Sequence, residues 1–461
     1  MRRFAPALLA IVLASVCADP VPSAQASRPN VLFIQADDLG YGDISVQGQQ
    51  KFQTPNIDRL AKNGIRFTNY YAGTTVCAPS RGSLMTGLHT GHAWIRGNLA
   101  GNSLRPEDHT IAASLREAGY RTALIGKWGL GESDAPGRPD RQGFEYSFGY
   151  LSQTHAHRQF TDHLYRNGER VAVGPNEYSN DLFTREAASF IEKGDNRPFF
   201  VYLNYTVPHA ELRVPEDSIE PFKREFAEKP FVNAAADARV TGPDNPSLGY
   251  RSQPTPHAAF AAMITRMDRD IGRLVDLLRD RGVAERTLVI FTSDNGPHKE
   301  GGGEPEFFNS SGGLRGIKRD LYEGGIRVPM IASWPGQIPA GRTSEYAAAH
   351  WDWFPTLTEL AGVATPKGLD GLSIVRALRG QEQPAHEFLY WEFHERGFQQ
   401  AVRMGNWKAV RLAKDRPLEL YNLATDRAET KDVAASEPSV VARIEKYLAT
   451  ARTDSPNWPV K

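Results

Sequence analysis

Hydrophobic residues along the chain fall into two alternating patterns. Short apolar runs bounded by Pro, Gly or charged residues predict buried strands, whereas apolar residues three and four apart predict amphipathic helices. The predicted strands are residues 30–35, 121–125, 199–205 and 287–292. The predicted helices are residues 54–64, 110–118, 180–193 and 257–280. Because strands alternate with helices, the pattern predicts an α/β fold with a large, mainly parallel sheet covered by helices on both faces.

The pattern changes near residue 379. Short apolar segments separated by turns predict a small antiparallel sheet, followed by a closing helix. The segments are residues 388–392, 400–403, 407–412 and 419–422, and the helix is residues 439–451. We therefore expect a large domain over 27–379 and a smaller C-terminal α/β domain over 380–461. Residues 211–252, rich in Pro, Asp and Asn, are expected to form a surface insertion.

The N-terminal segment is typical of a signal peptide. A positive start at residues 1–3 precedes an apolar run at 5–16, and small residues offer cleavage after Ala26 or Ala18. The run is too short to span a bilayer. The segment predicts a signal peptide over 1–26 and an exported protein, periplasmic or secreted; an uncleaved N-terminal anchor is the alternative. Removal of the segment would leave Cys77 without an intramolecular disulfide partner.

The composition narrows the class of protein. The 461 residues include 54 basic and 54 acidic side chains, so the formal net charge is zero, which argues against a nucleic-acid-binding protein. The hydrophobic fraction of 40% is that of a globular chain and excludes long disorder. Because the net charge is zero, any anion that the protein binds must be neutralised by a few cationic side chains at the binding site.

Polar side chains follow all four predicted strands of the large domain. They are Asp37 and Asp38, Lys127, His209, and Asp294 with Asn295. Any one of these groups is also common in turns. In open α/β sheets, however, ligands bind beyond the carboxyl ends of the strands, so the four groups together predict a functional site at one edge.

The acidic members of this set predict a metal site. Asp37, Asp38, Asp294 and Asn295 offer three carboxylates and an amide oxygen, which suit a hard cation such as Ca²⁺ or Mg²⁺. No Cys or His pair at zinc spacing accompanies them in the sequence. Without an ion, we expect the crowded carboxylates to raise one another's pKa values.

Cys77 precedes a predicted helix. Pro79 is suited to the first helical position, so Cys77 should lie just ahead of a helix N-terminus, where backbone amides favour an anion. Arg81 adds a cation one turn further on. A thiol there is expected to have a lowered pKa and to be reactive. The alternative is a buried cysteine that acts as a small hydrophobic residue.

The segment 77–87, CAPSRGSLMTG, resembles the type I sulfatase signature C-x-P-S-R-x-x-x-L-T-G. Other blocks that resemble this family are Asp37-Asp38, Gly126-Lys127-Trp128, Pro208-His209, Ser293-Asp294-Asn295-Gly296 and Gly316-Ile317-Lys318. The resemblance runs from about residue 28 to the C-terminus. It implies an alkaline-phosphatase-like α/β fold with a smaller C-terminal sheet domain.

The resemblance also implies a mechanism. A formylglycine-generating maturation enzyme would oxidise Cys77 to Cα-formylglycine, whose gem-diol attacks the sulfur of a sulfate ester and then expels sulfate from a covalent sulfo-enzyme intermediate. The implied ligands of Ca²⁺, with Mg²⁺ second, are Asp37, Asp38, Cys77, Asp294 and Asn295. The implied catalytic residues are Cys77, Arg81, Lys127, His209 as the acid toward the leaving group, and Lys318; Asp294 would help activate the nucleophile.

One position departs from the family pattern. The family often has G-K-W-H, whereas Gly129 stands in place of that histidine here. We expect a replacement from the segment 149–157, with His157 first and His155 second; the alternative is that both are surface-loop histidines. The substrate-binding candidates, in glycine-flanked polar loops, are His298, Arg315 and Arg96.

These residues predict a sulfuric ester hydrolase, and export together with the resemblance favours a sulfated carbohydrate as substrate. Two alternatives remain open. One is a phosphomonoester, phosphodiester or phosphonate hydrolase on the same scaffold. The other is a non-catalytic, calcium-dependent glycan-binding protein in which Gly129 marks a decayed site.

Overall fold

The structure is a computed structural model that describes residue 1 and residues 28–99, 101–132, 134–238 and 249–460. The predicted signal peptide, with its cleavage positions after Ala18 or Ala26, lies outside these residues apart from Met1. In the part of the chain that is described, no helix combines the length and the apolar character needed to cross a membrane.

Most of the strands form one large sheet and one smaller C-terminal sheet. In chain order they are β1 (Asn30–Asp37), β2 (Ile65–Phe67), β3 (Tyr70–Tyr71), β4 (Arg121–Lys127), β5 (Tyr146–Tyr150), β6 (His163–Arg166), β7 (Glu169–Ala172), β8 (Phe199–Pro208), β9 (Thr287–Ser293), β10 (Met330–Ser333), β11 (Arg342–Ser344), β12 (Ala348–Ala349), β13 (Leu389–Phe393), β14 (Gln399–Met404), β15 (Trp407–Arg411) and β16 (Glu419–Asn422). The large sheet has the order β11-β2-β10-β9-β1-β8-β4-β5-β6-β7, and the C-terminal sheet is β13-β14-β15-β16.

The helices lie between these strands. They are α1 (Pro55–Lys62), α2 (Cys77–Thr86), α3 (Ile111–Glu117), α4 (Ser179–Glu192), α5 (Glu216–Ile219), α6 (Ala234–Asp237), α7 (Pro256–Asp280), α8 (Pro305–Phe308), α9 (Glu323–Ile326), α10 (Trp353–Ala361), α11 (Val375–Leu378) and α12 (Pro438–Leu448). The four predicted helices of the large domain correspond to α1, α3, α4 and α7. At the start of α3, the Thr110 side chain accepts a hydrogen bond from the Ala113 amide, as expected of an N-cap.

The centre of the large sheet is parallel, as predicted. Strand β1 pairs in parallel with β8 and β9, and β4 pairs in parallel with β8 and β5. Alternate residues of β1 point to opposite faces: Leu32 and Ile34 join one apolar core with α1, α4 and α7, whereas Val31 and Phe33 join another with α2, α3 and α10. The sheet is therefore covered on both faces, which confirms the predicted fold class.

The edges of the large sheet were not predicted. Strand β10 pairs antiparallel with β9 and β2, and β5, β6 and β7 form antiparallel pairs at the other edge. Most of these strands have five residues or fewer, which is too short for a clear hydrophobic period.

The C-terminal sheet is antiparallel throughout, as predicted. Its inner face packs on the large domain: Trp391 and Phe393 share a buried core with Tyr71 and Trp351. The boundary between 379 and 380 remains a prediction, because these shared contacts do not locate it.

Candidate active site

The carboxyl ends of the central strands place their polar residues at one edge of the sheet. Asp37 ends β1, Lys127 ends β4, His209 follows β8 and Asp294 follows β9, and all four side chains are buried. The structure thus brings together the groups that the four strand ends predicted. The N-terminus of α2 brings Cys77 to the same place.

Asp38 links β1 to β9. It has a left-handed backbone (φ 64°), and its amide donates a hydrogen bond to Asp294 Oδ1 at 3.0 Å. A non-glycine residue in this conformation is uncommon and often marks a functional position. Its Oδ1 atom accepts a hydrogen bond of 2.6 Å from Asn295 Nδ2.

Cys77 faces the carboxylates of β1. Its Sγ atom lies 3.4 Å from Asp37 Oδ1 and 3.9 Å from Asp38 Oδ1, and the residue is 2% exposed. Helix α2 begins at Cys77 itself, so Pro79 is its third residue and not its first as predicted. The expected acidic thiol is also wrong: burial raises the pKa of Cys77 well above its ordinary value, against the lowering effect of Lys127 and Lys318.

Arg81 holds Asp294. Its Nε and Nη2 atoms lie 3.1 and 2.8 Å from Asp294 Oδ2, and Nη1 donates to the Lys127 carbonyl at 3.2 Å. Both charged side chains are fully buried. Removal of either partner would leave an uncompensated charge in the interior.

Two lysines pair with the β1 carboxylates. Lys127 Nζ lies 2.7 Å from Asp37 Oδ2, and Lys318 Nζ lies 2.8 Å from Asp38 Oδ2. Lys318 also lies 3.1 Å from His209 Nε2 and 3.3 Å from Glu300 Oε2. Both lysines are buried, although lysine side chains usually lie at the protein surface.

The three carboxyl groups differ in acidity. Burial raises the pKa of Asp37, but Lys127 and the other nearby cations outweigh it and hold that pKa well below the ordinary value; Lys318 acts similarly on Asp38. For Asp294, burial and the charge of Asp37 prevail, and its pKa rises to about 7. The increase in pKa that the sequence predicts for these three carboxyl groups therefore occurs at Asp294 and not at Asp37 or Asp38.

Residues of this set fit a divalent cation. Possible ligand atoms of Asp37, Asp38, Cys77 and His209 all lie within 4.8 Å of one another. The Asn295 Oδ1 atom is buried and has no hydrogen-bond partner among the described residues, although buried side-chain oxygens are usually paired. A cation beside it would satisfy that oxygen and offset the carboxylate crowding seen at Asp294.

A stack of histidines borders the carboxylates. The His157 ring lies 4.7 Å from the His209 ring, nearly parallel to it, and His298 stacks on the other side of His209 at 5.6 Å. Burial, together with Lys318, lowers the pKa of His209 to about 4, so its ring is neutral at neutral pH. Burial and His209 also lower the pKa of His157.

The other predicted histidine points elsewhere. His155 Nε2 is hydrogen-bonded to Thr161 Oγ1 at 2.8 Å, and its ring stacks on His163. His157, in contrast, lines a cavity of about 510 Å³ that opens above Cys77. Of the two candidates, the structure brings His157 to the site.

The three substrate-binding candidates do not line this cavity. His298 Nε2 is 3.0 Å from the Pro208 carbonyl, behind His209. Arg96 is buried and pairs with Glu392 of β13 at 3.2 Å. Arg315 donates to the Tyr421 hydroxyl and the Glu429 carbonyl, both at 2.9 Å. All three residues therefore connect parts of the fold, and a role for them in substrate binding remains a prediction.

The cavity contains residues that the sequence reasoning did not select. They are Asn98, Asn102, Glu132, Gln153, Tyr250, Arg319 and Glu395. Glu300 stands behind them and binds Lys318, Arg319 and the Tyr250 hydroxyl. Two of these residues lie in or beside segments that the sequence analysis selected, since Arg319 follows Lys318 and Gln153 belongs to the segment 149–157. Tyr250 lies in the insertion 211–252, whose sequence predicts no functional residue.

Family models match most of the chain. The model described as Sulfatase matches residues 29–363. The model described as N-sulphoglucosamine sulphohydrolase, C-terminal, matches residues 316–454. Together they cover both the large sheet and the C-terminal sheet.

Individual proteins show the same likeness. An N-acetylgalactosamine-6-sulfatase of Canis lupus familiaris is 30% identical, with 83% of this chain and 71% of that protein aligned. An N-acetylgalactosamine-6-O-sulfatase of Bacteroides thetaiotaomicron is 28% identical over 98% of this chain and 99% of that protein. The crystal structure of Ps i-CgsB in complex with k-i-k-neocarrahexaose superposes with a TM-score of 0.78 and 27% identity, covering 94% of this chain and 95% of that one.

Proposed function

The chain belongs to the sulfatase family and is an enzyme of the sulfuric ester hydrolase class, and we propose that it releases inorganic sulfate from a sulfated carbohydrate through a modified residue 77. The observation that carries the proposal is the position of Cys77, whose Sγ lies 3.4 Å from Asp37 Oδ1 in a buried cluster of carboxylates and lysines. A thiol with a raised pKa in that place is a poor nucleophile, which supports conversion of the side chain before use.

The modification is Cα-formylglycine, made from Cys77 by a maturation enzyme. When hydrated, this group would supply one hydroxyl that bonds to sulfur as the S–O bond to the alcohol breaks, and a second hydroxyl whose loss of a proton would let sulfate leave as the aldehyde forms again. The residues around it define what the protein contributes: charge neutralisation, orientation and proton transfer.

A divalent cation, Ca²⁺ first and Mg²⁺ second, completes the proposed site. Asp37, Asp38, Asp294, Asn295 and modified residue 77 would hold it, and it would lower the pKa of the nucleophile and withdraw charge from the sulfuryl oxygens. The buried Asn295 Oδ1, which has no hydrogen-bond partner among the described residues, would gain one in such an ion.

The cations of the site would bind the substrate anion. Lys127, at the end of β4, and Lys318, in the loop before α9, pair with Asp37 and Asp38, the two carboxylates that face Cys77. Arg81 fixes Asp294, the carboxylate that we propose accepts a proton from the nucleophile. Cations preorganised in a buried site stabilise the charge that develops on the transferring group.

His209 and Lys318 are the proposed proton source for the leaving alcohol. Their Nε2 and Nζ atoms lie 3.1 Å apart, and Lys318 is held protonated because Asp38 and Glu300 raise its pKa against the effect of burial. A neutral His209 donates from Nδ1 to the Ala210 carbonyl and accepts a hydrogen bond from Lys318 at Nε2, so the proton for the oxygen that leaves would come from Lys318 Nζ, which His209 orients. His157, stacked on His209, is proposed to assist the later release of sulfate.

The carbohydrate substrate is inferred from two observations. The cavity above residue 77 is lined by amides, carboxylates and one tyrosine, which suit hydroxyl groups. The relatives named N-acetylgalactosamine-6-sulfatase and the structure solved with neocarrahexaose indicate the same class of substrate. Export to the periplasm or medium, proposed from the N-terminal sequence, would place the protein where sulfated polysaccharides are met.

Matched esters test the function. The protein, produced together with a formylglycine-generating enzyme, is assayed on 4-nitrophenyl sulfate, 4-nitrophenyl phosphate and a panel of sugar monosulfates. We expect a higher kcat/KM for the sulfate ester than for the phosphate ester and release of sulfate from at least one sugar. A preference for phosphate would indicate a phosphoester hydrolase, and binding of sugar sulfates without turnover would indicate a glycan-binding protein.

A further inference from the structure

Gln153 lies in the wall of the cavity above residue 77. It follows β5 and precedes the short helical turn that carries His157, and it lines the same cavity of about 510 Å³ as Cys77, Gly129 and His209. A side chain here can contact a substrate whose reacting group sits on residue 77.

Gly129 creates the space that the Gln153 amide occupies. A Cβ atom on residue 129 would lie 2.3 Å from Gln153 Nε2 and 2.6 Å from its Cδ, well inside van der Waals contact. The backbone of Gly129 is left-handed (φ 78°), and its amide donates to the Leu151 carbonyl at 3.0 Å, which ties the two segments together. The amide of Gln153 can hold this position only because residue 129 has no side chain.

The amide nitrogen of Gln153 has no hydrogen-bond partner among the residues described. Its Nε2 atom is buried, although the side chain as a whole is half-buried at the cavity wall. Buried donors are nearly always satisfied, and an unsatisfied one reduces stability. An acceptor supplied by a ligand in the cavity would remove that cost.

We propose that Gln153 is a specificity-determining residue that donates a hydrogen bond to a hydroxyl oxygen of the sugar ring bearing the sulfate. The inference rests on the proposed sulfatase function and adds to it a contact with the alcohol part of the ester. The sulfuryl oxygens have cations available, since Lys127 and Lys318 pair with Asp37 and Asp38, the two carboxylates that face residue 77. A neutral amide, which both donates and accepts, matches a hydroxyl better than an anion.

The test compares Gln153→Ala with the parent enzyme on two substrates. One is 4-nitrophenyl sulfate, which has no sugar hydroxyl, and the other is the best sugar monosulfate of a panel that includes N-acetylgalactosamine 6-sulfate. We expect kcat/KM to fall about tenfold more on the sugar sulfate than on the aryl sulfate, the effect of one lost hydrogen bond. Gln47→Ala is the matched control, because Gln47 Nε2 is also buried and unpaired but lies outside the cavity.

Gly129→Ala provides a second, independent measurement. Its methyl group would displace the Gln153 amide, so it should reduce the ratio of sugar to aryl kcat/KM in the parent but change that ratio much less in the Gln153→Ala background. Equal losses on both substrates, additive effects of the two substitutions on the ratio, or turnover of the aryl sulfate with no sugar sulfate accepted would overturn the inference. If the parent enzyme hydrolyses none of the sulfate esters, the proposed function itself is refuted.

Discussion

The Nε and Nη2 atoms of Arg81 both contact Oδ2 of Asp294, at 3.1 and 2.8 Å, and both side chains are fully buried. This pair joins helix α2 to the residue that follows β9. It fixes the orientation of one proposed metal ligand from a residue only four positions after Cys77.

Arg81→Ala should therefore affect both stability and activity. Loss of one partner of a buried ion pair costs about 3 to 5 kcal/mol of unfolding free energy, because Asp294 is left unpaired. We expect kcat/KM on 4-nitrophenyl sulfate to fall by at least about 100-fold. Urea unfolding and steady-state kinetics measure the two effects. Arg81→Lys keeps the charge and should recover stability only in part; full activity in either variant would contradict the assigned role.

Removal of the cation should destabilise the fold. Asp37, Asp38, Asp294 and Asn295 come together only in the folded protein, so the ion stabilises the folded state by RT ln(1 + c/Kd), where c is the concentration of the free ion, and Tm rises with that concentration. Thermal unfolding in chelator, then with Ca²⁺ or Mg²⁺ restored, should show the larger increase in Tm with Ca²⁺.

Asn295→Ala removes the unpaired amide oxygen and should reduce that increase. Asn309→Ala, at an exposed position outside the proposed ligand set, serves as the control for a lost amide side chain. An identical Tm with and without divalent ions in the parent protein would exclude a metal bound at this edge of the sheet.

Leaving-group dependence tests the pair of His209 and Lys318. If these residues protonate the departing oxygen, His209→Ala and Lys318→Ala should reduce kcat/KM more for aryl sulfates with poor leaving groups than for those with good ones. Only a poor leaving group needs the proton. The measurement is the slope of log kcat/KM against the pKa of the phenol. His163→Ala, which lies outside the cavity, should keep the parent slope; an unchanged slope in both active-site variants would contradict the assignment.

Asp43 gives a pH dependence that is separate from the active site. Its side chain is buried, its Oδ2 accepts from the Gly40 amide at 2.8 Å, and burial raises its pKa from 3.8 to about 7. The protonated form is thus favoured in the folded state. The stabilisation is complete below about pH 4 and is lost as the pH rises toward 7, by about 4 kcal/mol at most, since each pKa unit corresponds to about 1.4 kcal/mol.

Asp43→Asn should remove this dependence. The unfolding free energy of the parent, measured in urea at several values between pH 4 and 8, should fall relative to that of the variant as the pH rises to about 7, and then run parallel to it. Parallel curves over the whole range would show that Asp43 ionises normally in the folded protein.

The sequence alone predicted the elements that carry the site. The apolar run before Asp37 and the run before Asp294 locate two neighbouring strands, and parallel packing brings their ends together. The residue types at those ends then indicate a hard-cation site. The inference that these strand ends meet is confirmed because it depends on a local pattern and one topological rule, whereas the cation site remains a prediction.

Other features depend on contacts between distant segments. The sequence suggests Arg96 as a substrate-binding residue, but in the structure Arg96 forms an ion pair with Glu392 of β13. The raised pKa of Cys77 reflects burial by segments far away in the chain, which no local motif reports. The fit of Gln153 against Gly129 likewise requires the relative positions of β4 and the loop after β5.

Mass spectrometry of the tryptic peptide 67–81 determines the chemical state of residue 77. In protein that turns over sulfate esters, we expect residue 77 to have lost its sulfur and to carry an aldehyde, which a hydrazide reagent labels, and we expect Cys77→Ala to abolish turnover. Recovery of the peptide as an unmodified, alkylatable thiol from fully active protein would show that the enzyme works without the modification.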